Sequence, residues 1–140
     1  MNRTLRFITV AVVTVASLVS FGAIADAGKP EKAVYLDLFY QPNVKPGRIF
    51  LTANSGPYIR QLHWKNWGTS KTVGRGRFIS DCASCGPKEN KPAVITMRGL
   101  KTCKAHNYRV YTHFKLHVID PSKRRVLSFS SGCPPKGEGF

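Results

Sequence analysis

The sequence predicts a small all-β domain, an antiparallel sandwich or barrel of about six or seven strands, that follows a signal peptide. Three observations support this fold class. Apolar and polar residues alternate over residues 108–119, with the period of a strand rather than a helix. Shorter apolar runs recur along the chain and are separated by segments rich in Gly and Pro. After the first 25 residues, no stretch shows the 3.6-residue period of a helix.

The first 25 residues predict that the chain is exported. Arg3 and Arg6 form a short positive head, residues 7–24 are uncharged and mostly apolar, and an Ala-Ile-Ala cleavage pattern ends at Ala25. A second such pattern ends at Ala27. We therefore predict a signal peptide, a secreted β domain without stable membrane insertion, and a flexible tail, at residues 1–25, 26–133 and 134–140. The alternative is an uncleaved anchor, since an apolar run of about 18 residues is at the short limit for spanning a bilayer.

Seven apolar runs account for the predicted strands. In chain order they cover residues 34–40, 49–53, 58–64, 72–79, 93–98, 108–119 and 126–130. In the longest run we expect the apolar even-numbered residues to be buried, namely Val110, Phe114, Leu116 and Val118. His113 and His117 share the opposite face, but about 13 Å of strand separates them, which is too far for one metal ion.

Two glycines predict a hollow on one face of the 72–79 strand. Because Gly74 and Gly76 have no side chain, a large ring such as an indole fits above them. On the other face of the same strand, Arg75 and Arg77 point in the same direction. We therefore expect this strand to present basic residues on one face and to accept a ring on the other.

Four cysteines remain after export, and an even number in an oxidising compartment predicts two disulfides and no free thiol. We favour one bridge from the Cys82 and Cys85 pair to Cys103 and one to Cys133, over a bridge within the pair. A zinc site is the alternative, because Cys82, Cys85, Cys103 and His106 have zinc-ribbon spacing. That site would leave Cys133 unpaired.

The composition is strongly basic, with 22 Lys and Arg against 7 Asp and Glu. Loss of Arg3 and Arg6 with the signal leaves 20 basic residues against 7 acids, a net charge of +13. Such a charge attracts polyanions, so the expected partner is an anionic polymer or an acidic protein. The candidate binding residues are exposed cations and two aromatic platforms: Lys71, Arg75, Arg77, Lys123, Arg124, Arg125, Trp64 and Trp67. The alternative is that the charge serves only solubility and that the indoles pack in the core.

No motif indicates a catalytic site or a cofactor. Residues 74–77 lack the Lys-Ser/Thr ending and the helix of a phosphate-binding loop, and the acids are scattered. We therefore predict a secreted binding module, extracellular or associated with the cell envelope, that recognises an anionic partner without a cofactor. One alternative is a small hydrolase such as a ribonuclease, using His63 or His106 with Glu89. The other is a structural or protein-interaction module.

A series of short blocks between residues 45 and 118 carries a family resemblance. They are Ile49-Phe-Leu-Thr52, Leu62-His-Trp-x-x-Trp-Gly68, Thr72-Val-Gly-Arg-Gly-Arg-Phe78, Asp81-Cys82, Val94-Ile-Thr-Met97, Cys103 and Tyr108. In this order they resemble a group of small secreted actinobacterial proteins of unassigned function. Members often carry a Cys after the first block, where residues 52–55 have none, which makes Cys133 a candidate replacement partner. The resemblance implies export and a small β domain, and it implies no activity.

Overall fold

The computed structural model describes residues 32–54, 56–81, 83 and 86–137. The regular secondary structure of these residues consists of β-strands, with no helix among them. The all-β prediction is therefore confirmed. The predicted signal peptide, Cys82 and Cys85 lie outside the described residues. Within them, no helix is long and apolar enough to cross a membrane. The strands are β1 (Lys32–Leu36), β2 (Pro42–Asn43), β3 (Arg48–Phe50), β4 (Tyr58–Lys65), β5 (Lys71–Ser80), β6 (Glu89–Cys103), β7 (Tyr108–Val118) and β8 (Arg125–Ser130).

The described strands form one open sheet in the order β2-β1-β7-β6-β5-β4-β3, with β8 also paired to β7. The sheet branches at β7. One edge of this strand pairs with β6 along its length. The other edge pairs with β1 at residues 108–110 and with β8 at residues 113–118. The β1–β7 pair is parallel, whereas the other pairs are antiparallel as predicted. Two strands therefore share one edge of β7, end to end.

The sheet curls, so that its inner face encloses the main core. The indole N–H of Trp67, after β4, donates to the carbonyl oxygen of Ala33 in β1 at 3.1 Å, although three strands separate β1 from β4 in the sheet. The buried side chains of this core come from six strands: Ala33, Tyr35, Ile49, Ile59, Leu62, Phe78, Ala93, Ile95, Met97, Tyr111, Phe114, Leu116 and Val118. Because these buried residues alternate with exposed residues along each strand, the sheet has one apolar face and one solvent-exposed face.

Near the middle of β7, the buried side of the strand changes. Val110, Phe114, Leu116 and Val118 are all buried, as predicted, but Val110 belongs to a second, smaller apolar cluster on the other side. Tyr111 takes its place in the main core. The change coincides with a positive φ of 69° at Gly99, which lies opposite this part of β7 in β6. The second cluster is built from Val34, Leu36, Cys103, Tyr108 and Val110.

Of the hollow predicted above the two glycines of β5, the part above Gly74 holds Trp64, whereas backbone oxygens of β4 lie close to Gly76. Gly74 pairs with Trp64 across strands β4 and β5. A Cβ atom on Gly74 would lie 2.7 Å from Cζ3 of that indole, closer than real contacts allow. The indole N–H donates to the carbonyl oxygen of Pro46 at 2.9 Å, which fixes the ring in the hollow. The absence of a side chain at position 74 is thus a packing requirement.

The first strand is shorter than its sequence pattern predicted. β1 ends at Leu36, and residues 37–41 form a turn rather than the continuation of the strand to residue 40. The reason is the carboxylate of Asp37, whose Oδ1 accepts hydrogen bonds from the backbone N–H groups of Phe39 and Gln41 at 2.9 Å each. An Asp that satisfies the backbone ahead of it in this way replaces the sheet ladder with a turn.

One disulfide joins the described cysteines, between Cys103 at the end of β6 and Cys133, with a Cα–Cα distance of 5.5 Å. The chain reaches this point because the N–H of Ser131 donates to the carbonyl oxygen of Thr112 at 3.0 Å, which guides it along β7 after β8 ends. Next to the bond, Pro134 is buried, so the predicted tail begins with a packed residue.

The predicted pairing of Cys82 and Cys85 with Cys103 and Cys133 is wrong, because Cys103 and Cys133 bond to each other. The prediction gave Cys82 and Cys85 different distant partners, whereas the fold brings the end of the chain after β8 to the end of β6. The same bond removes Cys103 from the alternative zinc set, since a disulfide sulfur is no longer a thiolate ligand. In the part of the chain that the structure describes, no group of His, Cys, Asp and Glu fits a metal ion.

Candidate polyanion-binding face

The outer face of the sheet gathers basic residues that are far apart in the sequence. Strand register places Arg48 opposite Arg60, and Arg60 opposite Arg77, across β3, β4 and β5. Two residues along β5, Arg75 lies opposite His63. Side chains at such paired positions have Cβ atoms about 5 Å apart. We call this surface the basic face; it comprises Arg48, Arg60, His63, Lys65, Lys71, Arg75, Arg77, Arg98, His113, Lys115 and His117.

Two of these cations, Arg48 and Arg77, are held in place by neutral neighbours. The guanidinium of Arg48 lies 5.3 Å from the ring centroid of Tyr58 and 5.9 Å from that of Phe50. The guanidinium of Arg77 donates to the side-chain and backbone oxygens of Asn90 at 2.5 and 2.8 Å. Such contacts orient a cation without neutralising it, so the positive charge of the basic face remains available to an anionic ligand.

The aligned residues Arg48, Arg60 and Arg77 include one buried hydrogen-bond donor that has no acceptor. The Nε–H of Arg60, between Arg48 and Arg77, has no hydrogen-bond partner among the described residues. A buried donor that is left unpaired costs free energy.

None of the four acids in the described residues lies on the basic face. Asp37 lies in the turn after β1, and Asp81 follows β5. Glu89 forms two hydrogen bonds with Arg125, at 2.6 and 3.0 Å, and Asp120 lies 3.5 Å from the Lys91 ammonium. These acids are thus confined to turns and strand ends.

Both paired acids are held in the charged form. The hydrogen bond from the Arg125 guanidinium lowers the pKa of Glu89 below its usual range. Hydrogen bonds from the side chain and backbone of Ser122 likewise lower the pKa of Asp120. Their charge is therefore already compensated locally, away from the basic face.

The structure brings together only some of the predicted binding residues. Lys71, Arg75 and Arg77 all lie on the basic face. Lys123 and Arg124 are exposed in the turn between β7 and β8, outside the paired positions that form the basic face. The sixth cation, Arg125, is paired with Glu89, and its guanidinium lies 5.5 Å from the ring centroid of Phe78 in the core.

The two candidate tryptophans pack against the main core. Their ring centroids are 4.9 Å apart with the planes at 70°, and Trp67 meets Tyr111 in a similar edge contact at 5.3 Å. Both indole N–H groups donate to backbone carbonyl oxygens, those of Pro46 and Ala33. This aromatic cluster joins β4 to β1 and β7 and stabilises the curl of the sheet.

The residues of the alternative hydrolase do not converge. His106 lies in the turn after β6 and stacks on Tyr108, whereas Glu89 begins β6. Cys103, at the end of β6, is 14 positions beyond Glu89, which corresponds to about 46 Å of extended strand. The other histidine, His63, lies opposite Arg75, which in turn lies opposite Val94 of β6. Val94 is five residues, or about 16 Å, from Glu89 along that strand.

Sequence reasoning missed five cations of the basic face, because they are scattered over four strands: Arg48, Arg60, Lys65, Arg98 and Lys115. Four of them, Arg48, Arg60, Arg98 and Lys115, stand next to a buried position in their strand, and Lys65 stands next to the half-buried Trp64. That alternation was a usable signal, since adjacent residues of a strand point to opposite faces of a sheet.

No family model, curated protein or solved structure matches this chain. The basic face is therefore interpreted from its own geometry and charge.

Proposed function

We propose that the mature protein is a secreted or cell-wall-associated module that binds an anionic polymer through the basic face. The observation that carries this proposal is the register of β3 to β7, which gathers eight Lys and Arg side chains and three His on one face, with no acid among the described residues of that face. An extended surface of one sign attracts a chain of repeated opposite charges.

The cost of this arrangement supports a binding role over solubility alone. Like charges directly opposite each other in a sheet are destabilising, and the face contains the pairs Arg48–Arg60, Arg60–Arg77 and Lys71–Arg98. Charges that serve only solubility are better dispersed over the surface. A bound polyanion would relieve this repulsion.

Salt dependence of binding tests the proposal. The purified protein is titrated into a labelled single-stranded oligonucleotide, as a phosphodiester polymer, at salt concentrations from low to physiological. Each polymer phosphate neutralised should contribute about −0.7 to the slope of log affinity against log salt. A slope of several units supports the basic face, whereas the absence of binding at low salt contradicts the proposal and favours the solubility interpretation.

A further inference from the structure

A depression of about 680 Å³ opens on the basic face where β6, β7 and β8 lie side by side. Two rows of paired positions cross it, Thr96–Lys115–Ser128 and Arg98–His113–Ser130. Neighbours within a row are about 5 Å apart, and the rows are about 7 Å apart along the strands. Six polar residues, together with Phe114 and Phe129, thus line one volume, whose size is within the range of small-molecule sites.

The depression exists because short and long side chains alternate around it. Thr96, Ser128 and Ser130 are short and carry hydroxyl groups, whereas Arg98 and Lys115 are long cations beside them. Neither cation forms a salt bridge with any described residue. The nearest acid along β6 is seven residues from Thr96, about 23 Å, and it is already paired with Arg125.

The histidine of the depression is fixed by its neighbours. The hydroxyl of Thr112 donates its single hydrogen to the carbonyl oxygen of Gly99 at 2.8 Å. Its 2.8 Å contact with Nδ1 of His113 therefore requires that Nδ1–H be the donor. Only Nε2 of that ring remains available to a ligand. A Cβ on Gly99 would lie 2.6 Å from Nδ1, so glycine is needed for this arrangement.

We propose that this depression is a subsite for one phosphate group, and that it fixes the register of the polymer on the basic face. The proposal rests on the proposed function and names the charged group that is recognised. A phosphate offers tetrahedrally arranged oxygens, so it accepts hydrogen bonds from Arg98, Lys115 and the surrounding hydroxyls at the same time. A planar carboxylate has only two oxygens to share among these donors. Lys71, paired with Arg98, extends the positive track beyond the depression.

The test is an NMR titration of the isotopically labelled protein with inorganic phosphate, with sodium chloride balancing the ionic strength and acetate as a second anion. Phosphate should produce saturable shifts confined to Thr96, Arg98, His113, Lys115, Ser128 and Ser130. Lys115→Gln should weaken the phosphate affinity roughly tenfold, as expected for loss of one charge-assisted hydrogen bond. The matched control is Lys65→Gln, an exposed lysine of the same face outside the depression, which should leave the affinity nearly unchanged.

Three results would overturn the subsite while leaving polymer binding intact. They are equal weakening by Lys115→Gln and Lys65→Gln, shifts that spread over the face without saturation, and equal responses to acetate and phosphate. A native spectrum of each variant excludes unfolding as the cause. Failure of the oligonucleotide to bind overturns the proposed function instead; saturable phosphate shifts would then support a subsite for a small phosphorylated ligand.

Discussion

Two double substitutions that remove the same charge separate the basic face from the net charge of the protein. Lys71→Gln with Arg75→Gln removes two cations from the outer side of β5. Lys123→Gln with Arg124→Gln removes two from the turn between β7 and β8. All four side chains are exposed, so neither pair should change the free energy of unfolding by more than surface substitutions usually do.

The structure predicts unequal effects of these pairs on polymer binding. Each phosphate contact on a single strand contributes about 0.7 to the salt slope, which corresponds to about fivefold in affinity at 100 mM salt. Loss of Lys71 and Arg75 should therefore reduce the slope by about 1.4 and weaken binding about 25-fold. Loss of Lys123 and Arg124 should have a smaller effect, because both lie in the turn between β7 and β8 and not at a paired position of the basic face.

Fluorescence anisotropy of a labelled oligonucleotide between 50 and 200 mM salt, a range in which phosphate contacts of this kind lose affinity steeply, measures both quantities. Equal losses for the two pairs would refute the face and would show that net charge alone attracts the polymer. Unchanged binding by the Lys71 and Arg75 variant would refute it as well.

Three further predictions concern the fold. Phe114→Ala should lower the free energy of unfolding by about 3–5 kcal/mol, because Phe114 is buried in the main core, whereas the exposed His117→Ala should have little effect on thermal melting. Gly74→Ala should destabilise by about 1–3 kcal/mol and change the fluorescence of Trp64, because the new Cβ meets that ring. Burial raises the pKa of Tyr35 to about 12. Since the unfolded chain then loses this proton first, stability should decrease as the pH rises above 10 towards 12, and tyrosinate absorbance should remain incomplete until the protein unfolds.

Each of these measurements has an outcome that contradicts its reasoning. Equal melting temperatures for Phe114→Ala and His117→Ala would contradict the alternation of β7. A Gly74→Ala variant with native stability and native tryptophan emission would contradict the close contact with Trp64. Full tyrosine ionisation in the still-folded protein near pH 10 would contradict the burial of Tyr35.

The local pattern of the sequence predicted the strands well where one face of each strand is buried. β4, β5 and β7 match their predicted bounds to within one residue at each end, because alternating burial leaves a period of two in the sequence. The ring above Gly74 was predictable for a similar reason, since glycine in a strand marks a close approach. β2 was missed, as its two residues are too few to show a period.

Contacts between distant parts of the chain were decided by the tertiary structure. Nothing local marks the exchange of Val110 for Tyr111 in the main core, which coincides with a positive φ at Gly99 in the neighbouring strand. The disulfide partner of Cys103 likewise depends on how β8 returns along β7.

The excess of positive charge and the alternation that exposes it follow from the amino-acid sequence alone, because both are properties of single residues and their neighbours. The sequence did not determine which cations lie side by side. Arg98 and Lys115 are 17 residues apart in the chain, yet they contribute to adjacent rows of one depression through the pairing of β6 with β7. Strand register is set by the packing of the buried face, and that packing decides which charges meet on the exposed face.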